Sequence, residues 1–152
     1  MTHTINLPAD NLDDWLNELK PYQRDIIKNL LKTEHQNTEK TAEKWLTMTG
    51  SSNIAAFGGI ENPKPFWDSF KNEIYLFFCD DTAYADIKKS FGDERPIVKK
   101  VLISAVSGAI GATLGYSATL LAPAVVLMLS TIAQMGINAY CKTKTSDDKT
   151  LK

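Results

Sequence analysis

The chain has 152 residues, 43% of them hydrophobic and 23% charged, and a formal net charge of −1. That length fits one domain able to bury a core without disulfides, and no basic patch interleaved with aromatics points to nucleic acid, which is not expected as a partner. The near-neutral sum hides an asymmetry: residues 1–95 hold 11 Lys and Arg against 16 Asp and Glu (−5), whereas residues 96–152 hold 6 against 2 (+4).

Residues 1–9 read as a frayed leader, and Asp10, Asp13, Asp14 and Glu18 leave no room for a secretory signal there. Asp10 or Asn11 caps a short helix through Lys20, with Leu12, Trp15, Leu16 and Leu19 on one face. Pro21 opens a second helix whose apolar face is Tyr22, Ile26, Ile27, Leu30 and Leu31. The polar run Thr33–Asn37 separates it from a third helix over Thr38–Met48, with Gly50 as its stop.

A long loop is expected from Gly50 to Lys64, its Ile54 and Phe57 docking as apolar pegs beside Gly58 and Gly59. Loops of that length are often functional, which makes these four residues a candidate partner-binding segment. Pro65 starts the most strongly patterned helix, lined by Phe66, Phe70, Ile74, Phe77 and Phe78, an aromatic stripe that reads as core. Asp80 and Asp81 read as helix caps rather than paired catalytic carboxylates, preceding a short helix with Tyr84 and Ile87 inward that ends at Gly92.

From Val101 to Cys141 there is no Asp, Glu, Lys, Arg or His. The run is roughly twice the ~18 residues that suffice to cross a bilayer. Gly115-Tyr116-Ser117 and Pro123 interrupt it, which predicts an apolar helical hairpin over residues 96–141, with one limb from Pro96 to Gly115 and the other from Pro123 to Cys141. Residues 142–152 form a polar tail. On the first limb Ser104, Gly108, Gly111 and Gly115 share a small face opposite Ile103, Val106, Ile110 and Leu114, a pattern suited to close helix packing and self-association. On the second, Ser130, Thr131, Gln134 and Asn138 form a polar stripe able to bond a neighbouring helix or line a wet path. Lys99, Lys100, Lys142 and Lys144 all flank the same end of the hairpin, the charge bias of two spans with both ends cytoplasmic.

The expected fold is therefore all-α: a small bundle of amphipathic helices over residues 1–95 around the apolar hairpin, forming one compact unit. Cys79 and Cys141 lack zinc-ligand spacing and are expected as reduced thiols in a cytoplasm. His3 and His35 belong to no nucleophile arrangement, and no phosphate loop, zincin motif or nucleophile elbow is present. The expectation is a non-enzyme without metal, cofactor or small-molecule substrate. It would be cytoplasmic, with an association to the cytoplasmic face of a membrane, and would permeabilise that membrane as a homo-oligomeric effector through the hairpin. The alternative is a soluble adaptor binding a protein partner, with the hairpin as its core. Acidic amphipathic helices followed by an apolar hairpin resemble pore-forming bacterial toxins in architecture alone.

Overall fold

A computed structural model describes residues 7, 11–55, 63–80, 82–89, 91 and 98–142, with backbone alone at 48–55 and 63–65. Among these residues the protein is all-α, with eight helices and no strand. The expected leader, Asp81, Gly92, Pro96 and the tail with Lys144 lie outside the described residues, save Leu7.

Helix α1 (Leu12–Leu16) is capped by Asn11, whose Oδ1 accepts from the Asp14 amide at 2.9 Å. Trp15, Leu16 and Leu19 are buried as the 3.6-residue period requires. In α2 (Pro21–Thr33) the inward stripe is Gln23, Ile27 and Leu31, one position round from the expected one, and Tyr22 is left 55% exposed. His35 and Gln36, at φ 55° and 65°, reverse the chain, and Asn37 Oδ1 then caps α3 (Thr38–Ala55) through the Lys40 amide at 2.9 Å.

Helix α3 does not stop at Gly50. One glycine inside a helix costs about 1 kcal/mol relative to alanine, too little to end a helix by itself. The expected loop therefore begins later, and of its pegs Ile54 falls on the α3 backbone while Phe57, Gly58 and Gly59 lie outside the described residues. Helix α4 (Pro63–Cys79) starts two residues before Pro65, with both prolines in a first turn that needs no amide donor. Its Phe66, Trp67, Phe70, Ile74 and Phe77 are buried, Trp67 and Phe70 stacking at 5.8 Å between centroids.

Asp80 caps the next turn, as its position suggests, by accepting from the Thr82 amide and hydroxyl and from the Ala83 amide. These bonds, the Thr82 hydroxyl foremost, hold its carboxyl below the ordinary range. Helix α5 (Ala85–Lys89) follows, its Lys88 buried with Nζ donating to the Asp80 carbonyl.

The apolar run forms α6 (Lys99–Leu114), α7 (Ala118–Met135) and a short α8 over 137–142. Gly115 ends α6 in the left-handed conformation at φ 72°, the glycine cap its position predicts. The reversal is tighter than expected, since α7 begins at Ala118 and contains Pro123. Gly136, at φ 93°, ends α7 well before Cys141. Helix α7 packs against α3, α6, α1 and α2, while α4 bears on α3 and α6.

The two cysteines are not reduced thiols. Cys79 at the end of α4 and Cys141 in α8 stand 5.6 Å apart at Cα and are joined as a disulfide, a separation squarely within the range a bridge spans. Their sequence separation of 62 residues hid the pairing from any spacing rule.

Candidate functional site

The N-terminal quarter of α7 is held by side chains from helices far away in sequence. Proline has no amide hydrogen, so Pro123 cannot donate to the carbonyl four residues back, that of Thr119. Gln23 of α2 takes that place, its Nε2 donating to Thr119 O at 3.0 Å, and Trp45 of α3 donates through Nε1 to the next carbonyl, Leu120 O, at 2.7 Å. Both donors are buried, Gln23 and Trp45 each to 2% exposure. A buried side-chain amide needs a partner, and the Thr119 carbonyl, which Pro123 cannot serve, gives one to the glutamine at a core position of α2. Replacing Gln23 with Leu keeps the volume but removes that bond, so Gln23→Leu is expected to lower stability by about 0.5–1.5 kcal/mol, the net worth of one hydrogen bond. Urea unfolding checks this, and an unshifted midpoint would show the bond to be dispensable.

Beside this junction lies a cleft of about 220 Å³ between the α1–α2 corner, α6 and the start of α7. Gln23, Ile103, Ser107, Thr119 and Ala122 line it, and Glu18, Lys20 and Lys100 also belong to its wall. Ser107 is 2% exposed, and its hydroxyl has no hydrogen-bond partner among the described residues.

The expected small face of α6 is divided. Ser104 and Gly108 are exposed, and a Cβ on Gly108 would meet nothing within 4 Å. Gly111 is buried against the turn, where an added Cβ would sit 2.5 Å from Tyr116 O, and its own carbonyl accepts from the amides of Gly115 and Tyr116. Gly111 and Gly115 thus serve the reversal of this chain. The large face, Ile103, Val106 and Ile110, is turned into the bundle.

Of the polar stripe on the second limb, Ser130, Thr131 and Gln134 line a second cleft with Gln36 and Thr38, whereas Asn138 falls beyond Gly136 on α8 and is exposed. Thr131 donates to Leu127 O at 2.9 Å and so accepts from the Thr38 hydroxyl at 2.6 Å, a tie between α3 and α7.

A third polar junction joins α4, α5 and α6. The Tyr84 hydroxyl donates to Glu73 Oε1 and lies 3.0 Å from the Thr113 hydroxyl. Burial, then the Glu73 bond, push the Tyr84 hydroxyl up from 10.0 to about 12. Burial likewise raises Tyr140, aided by Glu39 and Tyr75. Because the folded value of Tyr84 exceeds the unfolded one, its stabilisation is whole below pH 10 and is lost as pH climbs towards about 12. The melting temperature should therefore fall across that window, and Tyr84→Phe should flatten the fall; an equally steep decline in the variant would discount this junction.

Among the described residues no group of three or more His, Cys, Asp or Glu is arranged to hold a metal. No protein-family model matches the chain, and no curated protein or solved structure matches it either.

Proposed function

We propose that this is a non-enzymatic helical protein which holds a membrane-active apolar hairpin, α6 and α7, inside a sheath of amphipathic helices. The observation that carries this reading is α7 itself: 18 residues without a charge, the one helix among those described that is long and apolar enough to span a bilayer. At 1.5 Å per residue it reaches about 27 Å, close to a hydrocarbon core of about 30 Å. Helix α6 is two residues shorter and starts at Lys99, so it enters lipid only with its lysines at the surface. Lys99, Lys100 and Lys142 sit at the end of the hairpin away from the uncharged turn at Gly115, which suits a turn-first approach to a membrane. In lipid, Ser104 and Gly108 offer a second copy a surface for close packing.

Cytoplasmic residence goes with open thiols, and the Cys79–Cys141 bridge favours instead an oxidising compartment for the sheathed form. The soluble adaptor is the second reading, favoured by the unbroken burial of α7 from Pro123 to Ser130, the pattern of a core helix.

Gly108→Lys separates the two readings. The position is open in the fold, and leaving glycine favours the helix, so stability should hold or rise slightly. Halfway along an inserted α6 the same lysine opposes insertion by roughly 2.5–3.5 kcal/mol, about a hundredfold in partitioning. Dye release from anionic vesicles by the wild type, abolished in Gly108→Lys, supports the membrane reading. A wild type that stays monomeric and never partitions supports the adaptor.

A further inference from the structure

The Cys79–Cys141 bridge joins two elements of unequal standing. Helix α4 is anchored in the core by Phe66, Trp67, Phe70, Ile74 and Phe77, all buried. Helix α8 spans six residues, 137–142, and follows Gly136, whose φ of 93° and ψ of 142° turn the chain off the axis of α7. So short a helix has little stability of its own, because nucleation is unfavourable and few hydrogen bonds follow it. Its Ile137 and Tyr140 are half-buried against the core, and two such side chains return less than the ordering of six residues costs. Glu39 on α3 and Tyr75 on α4 are close enough to act on the Tyr140 hydroxyl, Cys141 Sγ stands 3.8 Å from the Phe78 carbonyl, and α3 and α4 meet through Lys71 and the same Glu39 at 3.6 Å. Helix α8 thus lies over the α3–α4 seam. Both cysteines are half-buried, unlike the sealed centre of α7, where Ala124 through Leu127 are 0% exposed. Bridges within reach of solvent are the ones that thiols attack.

We propose that the Cys79–Cys141 bridge is a reducible latch, whose opening by a dithiol frees α8 from the α3–α4 seam while the rest of the bundle stays folded. One thiolate of the dithiol attacks a bridge sulfur, forming a mixed disulfide and displacing the other protein sulfur as a thiolate; the second dithiol sulfur then attacks the mixed disulfide and releases the first. The reductant leaves as a cyclic disulfide, and its two electrons and two protons end on Cys79 and Cys141. The released helix uncovers the Tyr75 side of α4, a surface covered in an oxidising compartment and bared in a reducing one. The inference is independent of the membrane reading.

The test uses the whole oxidised chain and dithiothreitol. In NMR spectra the Cα shifts of residues 138–142 are expected to be helical before reduction and to move to random-coil values after it, while those of Leu127 and Ser130 in α7 stay helical. The rate of reduction, followed by intact mass, is the second measurement. Phe70 lies nine residues before Cys79 on α4, about 13 Å along the axis, and truncating its buried ring in Phe70→Ala loosens the whole fold without touching the bridge. A latch opened from the native surface is reduced in proportion to the dithiothreitol concentration, and Phe70→Ala should change that rate by no more than about twofold, since local opening does not track global stability. Reduction that had to await global unfolding would instead speed up by about a hundredfold or more, the loss of stability in the variant converted to a population of open chains. Such an acceleration, helical shifts that survive reduction at 138–142, or loss of the α7 shifts along with them would each overturn the proposal and leave the bridge a staple of the whole fold.

Discussion

Opening the Cys79–Cys141 bridge is expected to lower the stability of the fold by about 4 kcal/mol. The bridge closes a loop of 62 residues, and the entropy it removes from the unfolded chain grows with the logarithm of that length. The native state has little to lose in return, because α4 and α8 already hold the two Cα atoms 5.6 Å apart. With a urea dependence of about 2 kcal/mol/M, the midpoint of the Cys79→Ser, Cys141→Ser double variant should fall by about 2 M against the oxidised chain. Dithiol reductant should move the wild type by the same amount and leave the double variant where it is. Identical midpoints for oxidised and double-variant chains, or an intact mass showing both thiols free after air oxidation, would contradict the expectation.

Phe70→Ala is expected to cost about 3–5 kcal/mol, the range for truncating a fully buried phenylalanine. Phe70 is 0% exposed, stacks on Trp67, and sits on the helix that bears on both α3 and α6. For a chain of this size each kcal/mol shifts the melting temperature by about 2–4 °C, so a drop of roughly 10 °C is anticipated. Val98→Ala, at a residue 62% exposed, is the control and should change stability by no more than about 0.5 kcal/mol. A Phe70→Ala protein melting with the wild type would mean that α4 covers nothing. In the membrane reading the weakened sheath should also raise vesicle partitioning, and in the adaptor reading it should not.

The all-α class and the inward faces of α1 and α4 were legible because Trp15, Phe66, Phe70, Ile74 and Phe77 recur at helical spacing, and periodicity is a local property. Gly115 as a left-handed cap was legible for the same reason. The partners of Pro123 were not. Proline is read locally as a helix start, and only donors 96 and 75 residues away, Gln23 and Trp45, make it acceptable inside α7. One sign was present: Gln23 falls at i, i+4 and i+8 with Ile27 and Leu31, a polar residue on an apolar stripe, which asks for a hydrogen-bond partner. The bridge left no such sign, since two cysteines in a chain with no framework of others read equally as thiols. Of the candidate site residues, the small face was visible as a pattern, yet its division between a turn and an open surface depended on where α7 returned.

As a mechanical linkage the oxidised molecule has one closed ring, from Cys79 through α5, α6, the Gly115 turn and α7 to Cys141. A ring with both feet planted at the end of α4 has no loose end within it to thread through anything. The two arms of that segment therefore cannot separate at their base while the bond is intact. Breaking the bond opens the ring, and the same residues are then joined to α4 through the backbone alone. The bond between two residues thus sets a closed topology around α5, α6 and α7 that none of these helices contains in its own sequence.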